Sequence, residues 1–174
     1  MKRGVIWISA ILYIGIGVVI LGILLTAMLP LIGGLRDRNT FSETKGMMAT
    51  LDATIRTVAT EGPGSQRQLS PLVVNAGKLF VSQANDTITW SMETGADILE
   101  LNTLIHEGPL ELLAVPSKIA GKNVVSIRLD YANKYDLKLV SKYQPPFFGR
   151  YQAVIKHSGN FTSSNLPMIE VHIR

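Results

Sequence analysis

The chain has no cysteine. Disulfides, thiolate nucleophiles and cysteine-ligated metals are therefore excluded, and an extracytoplasmic domain built from it must hold by packing alone. Histidine is scarce. His106, His157 and His172 have no partner at metal-ligand spacing, so no zinc site is expected. No Gly-x-Ser-x-Gly turn or acid–base constellation occurs. Gly15-x-Gly17 lacks the third glycine of a dinucleotide fingerprint. Neither enzymatic activity nor a cofactor is expected, and the sequence has no internal repeat. The most telling absence is local: no charged residue lies between Arg3 and Arg36.

A helix needs about 20 apolar residues to cross a bilayer core. The uncharged run exceeds that by roughly ten, enough to span with tilt or to project beyond the membrane. It is also too long for the apolar core of a cleavable secretory signal. Lys2 and Arg3 mark the short end as cytoplasmic. The chain is thus expected to be a single-pass membrane protein with an extracytoplasmic C-terminal domain. Gly15, Gly22, Thr26 and Gly33 are seven, four and seven residues apart, which places them near one line on a helix. A row of small residues lets a second helix approach closely. Pro30, followed by Gly33-Gly34, predicts a kink or a short unwound segment between Thr26 and Gly34.

Beyond the run, Thr40-Phe41-Ser42-Glu43 has the capping-box pattern, with Thr40 as N-cap. Phe41, Met48, Leu51, Ile55 and Val58 recur at helical spacing up to the stop at Gly62-Pro63-Gly64. Strand patterns follow at 69–74, 78–82, 87–92, 110–115, 123–130, 136–141, 151–156 and 168–172. Asn75-Ala76-Gly77 reads as a hairpin turn between the first two. The expected fold is α+β: a long hydrophobic helix kinked near Pro30, continuing into an amphipathic helix packed on an antiparallel β-sandwich or barrel-like head. The expected divisions are residues 1–4, a basic leader; 5–35, a transmembrane and assembly helix; 36–62, the amphipathic helix; and 65–174, an all-β head.

Charge is unevenly distributed along the chain. Residues 36–115 carry six bases and ten acids, whereas residues 116–174 carry nine bases and three acids. A bipolar surface is one outcome. Between Tyr131 and Tyr151, the aromatics Tyr131, Tyr135 and Tyr143 interleave with Lys134, Lys138, Lys142 and Arg150. Such a pattern can bind single-stranded nucleic acid or anionic glycans. The plainer reading is strand alternation around a tight connection, so a nucleic-acid partner is not favoured. Asn85-Asp86-Thr87 and Asn160-Phe161-Thr162 are N-glycosylation sequons.

Lys2-Arg3-Gly4, directly followed by the apolar run, resembles the class III signal sequence of archaeal type IV pilin-like precursors. The resemblance is close over about the first thirty-five residues. It implies a prepilin-type peptidase that recognises Lys2 and Arg3, cuts after Gly4 and leaves Val5 as the first mature residue. It also implies that the helix is kept as a membrane anchor before assembly and as the filament core afterwards, in contact with identical or other pilin-like subunits. Ser9 stands where bacterial type IV pilins carry glutamate, a departure that points away from the bacterial branch. The function expected from this likeness is a pilin or minor pilin-like structural subunit of a surface filament. The alternative is a single-pass surface binding or adhesion protein that does not polymerise.

Overall fold

The computed structural model describes residues 3–163 and 165–174, except the side chains of residues 3–10, 27, 29–31 and 70. One helix, α1 (Arg3–Glu61), leads into eight strands: β1 (Gln66–Ser82), β2 (Thr87–Thr94), β3 (Ile105–Glu107), β4 (Leu110–Pro116), β5 (Asn123–Asp130), β6 (Asp136–Ser141), β7 (Phe147–Phe161) and β8 (Pro167–Ile173).

The helix corrects the sequence expectation in three ways. Helical backbone runs unbroken through residues 26–34, so the short unwound segment expected there is absent. A proline removes one backbone donor, and here the ladder continues on either side of it. Thr40 lies inside the helix and is buried, so it is no N-cap, and Glu43 accepts a hydrogen bond from the Asn39 amide instead. Finally, among the described residues no helical stretch is long and apolar enough to cross a membrane. The expected membrane-type helix is therefore not part of the described architecture. The helix does stop where its sequence says it should. Gly62 takes φ +86°, its N–H bonds to the Val58 carbonyl at 3.3 Å, and Ser65 Oγ donates to the same carbonyl at 2.7 Å. This satisfies an end carbonyl through a left-handed glycine.

The head is β-rich, as expected for a sandwich or barrel-like domain, and its strands form one curled sheet that is mixed rather than wholly antiparallel. Their order is β3-β4-β5-β2-β1-β7-β8-β6, and β6 pairs with β8 in parallel while the other pairs are antiparallel. Every strand from β4 to β8, together with β1 and β2, sends buried side chains into a single cluster with Phe41, Met48, Leu51, Ile55 and Val58 of α1. Burying each large side chain there contributes about 1.5–3 kcal/mol. The sheet curls around the second half of the helix. Its β6 edge reaches back to the β1–β2 turn, where the Leu137 N–H donates to Asp86 Oδ1 at 2.9 Å.

Asn75-Ala76-Gly77 is not a hairpin turn. It is a corner within β1, whose first half pairs with β7 and whose second half pairs with β2. The register against β7 shifts between Val74 and Leu79. Such a bulge bends the strand and increases its twist, which allows one strand to serve both wings of the curled sheet. Gly77 takes φ +75° there, and the Trp90 indole closes the corner by donating from Nε1 to the Ala76 carbonyl at 2.9 Å.

Candidate functional site

The two halves of α1 have opposite environments. From Phe41 onward the apolar stripe is buried under the sheet. From Ile11 to Leu35, every large apolar side chain in the described set is exposed, with Tyr13 at 73% and Ile23 at 65%. Large contiguous apolar patches are uncommon on the surfaces of monomers.

The expected small-residue face lies in this exposed half. Val19, Gly22, Ile23 and Thr26 line a shallow groove, and Thr26 Oγ1 donates back to the Gly22 carbonyl at 2.8 Å. That bond turns the threonine hydroxyl into the helix and leaves its methyl outward. A Cβ added at Gly15, Gly22 or Gly33 would meet nothing within 4 Å. The monomer thus gives no packing reason for these glycines. Of the expected processing residues, Lys2 lies outside the described residues, and Arg3, Gly4 and Val5 are described only as the helical backbone that opens α1.

Among the described residues, several polar contacts tie the head to the helix. Thr94 Oγ1 donates to Asp37 Oδ2 at 2.6 Å, Arg38 Nη2 to the Asp97 carbonyl at 3.1 Å, Lys45 Nζ to Glu107 Oε2 at 2.8 Å, and Asn75 Nδ2 to Glu43 Oε2 at 3.4 Å. A deeper tie joins the helix to the end of β5. Asp52 is buried, accepts a hydrogen bond from the Tyr131 hydroxyl at 3.1 Å, and meets Arg56 Nε at 2.8 Å. Burial pushes the Tyr131 phenol far above its ordinary range, and the Asp52 carboxylate adds to the effect. Tyr131 is therefore a core residue, which corrects its reading as a surface ligand contact. Sequence reasoning missed Asp52. The signal was its place four residues after Met48 and three before Ile55, a carboxylate on the buried stripe.

The rest of the aromatic–basic segment does not form one cleft. Tyr135 is half-buried beside Tyr131, their ring centroids 5.7 Å apart, and Lys134 is exposed at the mouth of the small hollow over Asp52. Lys138 lies on β6, 4.0 Å from Glu170. Lys142, Tyr143 and Arg150 are exposed around the β6–β7 connection, and the Tyr143 ring meets Tyr151 edge-on at 5.7 Å. Separately, a groove of about 490 Å³ on the outer sheet face is lined by Gln66, Gln68, Val154, Lys156, His172 and Arg174.

His157 is buried, accepts from the Gly159 N–H at 3.0 Å, and packs against Phe161. His172 lies 3.1 Å from Glu170, and His106 is exposed on β3. Among the described residues, no group of three or more His, Asp or Glu side chains is placed to hold a metal. Asn85 and Asn160 of the two sequons are both exposed, in the β1–β2 turn and near the end of β7.

No protein-family model matches the chain, and neither a curated protein nor a solved structure does.

Proposed function

We propose that the protein is a structural subunit, pilin or minor pilin-like, of an archaeal type IV pilus-like surface filament. One observation carries this reading. A single helix buries its second half in its own head and leaves the described apolar side chains between Ile11 and Leu35 uncovered. Helices of neighbouring subunits would cover that half, with the Gly22–Thr26 groove admitting the closest approach. Residence at the cell membrane before assembly, with the head outside, belongs to the same proposal and rests on the uncharged sequence between Arg3 and Arg36.

The test uses a position that is empty in the monomer. Gly22→Leu meets no neighbour within the chain, so the head should unfold at the same denaturant concentration as the parent. Filament yield by electron microscopy, however, should fall at least tenfold. Equal yield would remove the helix-packing reading. Amino-terminal sequencing of protein from native membranes or filaments separates the two functional readings. A mature chain starting at Val5 supports the subunit, whereas a retained Lys2 favours the non-polymerising surface protein.

An extracytoplasmic head also exposes both sequons to glycan transfer. Intact mass of the native protein should show additions at Asn85 and Asn160, each lost on Asn→Gln. An unmodified mass would remove this part of the proposal.

A further inference from the structure

The strand order converts a charge asymmetry along the sequence into one across the head. Residues 87–130 supply β2–β5 and carry six acids against three bases. Residues 131–174 supply β6–β8 and carry six bases against two acids. In the sheet, β3, β4, β5 and β2 lie together on one side of β1, and β7, β8 and β6 on the other. One end of the sheet thus has a net charge of −3 and the other +4. Lys118, Lys122 and Arg128 are the bases of the acidic end.

Each end also presents exposed apolar side chains beside free charges. At the basic end, Tyr143 and Phe148 are 54% and 68% exposed, beside Lys142 and Arg150. At the acidic end, Leu101 and Leu104 are 42% and 50% exposed, beside Asp97 and Glu100. None of these four charged side chains takes part in an ion pair among the described residues. Protein contacts concentrate their energy in such apolar centres with aromatic and arginine anchors, and complementary charge sets register and partner choice.

The two patches are tied to neighbouring turns of the helix. The acidic loop is held at Asp37 and Arg38. The basic patch adjoins β1 near Asn75, which bonds to Glu43. Five or six residues separate these anchors, roughly 8 Å along the helix axis. A patch that meets a different patch on an identical neighbour makes a heterologous contact, which propagates into a ring or a helix.

We infer that the Tyr143–Phe148 basic patch of one subunit docks laterally on the Asp97–Leu104 acidic patch of a second copy of this chain. This rests on the filament reading and names the head contact that would accompany helix packing. The experiment uses the full chain, dispersed in detergent and assembled by detergent removal. Lys142→Glu with Arg150→Glu, and separately Asp97→Lys with Glu100→Lys, should each reduce filament yield at least tenfold at low salt. Mixing the two double variants should restore filaments, because every contact between unlike copies then pairs opposite charges. That rescue also shows that both variants are folded. If the parent assembles and the double variants assemble equally well, or if mixing does not rescue them, the docking inference falls while the filament reading stands. If the parent forms no filament, the filament reading falls and the inference with it.

Discussion

Replacing Gly77 by alanine should unfold the head at denaturant concentrations that the parent chain withstands. A Cβ at this corner would lie 2.5 Å from the Ser91 carbonyl oxygen and 2.8 Å from the Trp90 indole. Neither neighbour can yield. Ser91 O belongs to the β2 backbone, and Trp90 is fully buried with its Nε1 bonded to the Ala76 carbonyl. The positive φ adds backbone strain for any residue with a side chain. Left-handed strain and overpacking together cost roughly 2–5 kcal/mol, a large share of a typical domain's stability. Urea unfolding followed by tryptophan fluorescence would read the loss. A midpoint within error of the parent would show that the corner can open to admit a side chain. Gly22→Leu is the contrast, a larger side chain at a glycine with free space around it.

The second large effect is a dependence on alkaline pH. Tyr131 is held neutral in the folded chain because its phenol is buried against the Asp52 carboxylate. In the unfolded chain it titrates near its ordinary pKa of about 10. Above that pH the unfolded state has released a proton that the folded state keeps. Stability supplied by this group is therefore complete below pH 10 and declines above it, by about 1.4 kcal/mol per pH unit. Tyr131→Phe loses a hydrogen bond to a carboxylate, about 1.5–3 kcal/mol, and should be less stable than the parent at pH 8. It lacks the ionising hydroxyl, so the gap should close as pH rises above 10. Unfolding free energies at pH 8 to 11.5 would test this, since the other tyrosines and lysines affect both proteins alike. A constant gap across that range would contradict the assigned environment.

The sequence was legible wherever one periodicity governed a segment. The stripe from Phe41 to Val58, the Gly62-Pro63-Gly64 stop and most strands were readable because burial on one face leaves a repeating pattern. Misreadings occurred where tertiary context overrode local chemistry. Thr40-x-x-Glu43 has the composition of a helix start, yet helix already precedes it, so no free backbone donors remain for Thr40 to cap. Asn75-Ala76-Gly77 has the composition of a hairpin turn, but β7 and β2 pull the flanking halves of β1 into different pairings. The parallel β6–β8 pair leaves no local trace, because the partners are separated by β7. Candidate surfaces followed the same rule. The glycine and threonine face was visible as spacing along one helix. The two charged head patches were not, since their opposition depends on a strand order that no segment encodes by itself.

That strand order has a consequence for the moment of synthesis. β8 is made after the other seven strands of the sheet, yet it lies inside it, between β7 and β6. β6 has no other strand partner among the described residues. A nascent chain released only as far as residue 160 would hold its exposed helix half, much of the antiparallel sheet, and a stranded β6. Pairing over such sequence distances is slow compared with helix formation. The Phe41–Val58 stripe of α1 therefore emerges long before the strands that bury it are all in place, and it stays open to aggregation for that interval.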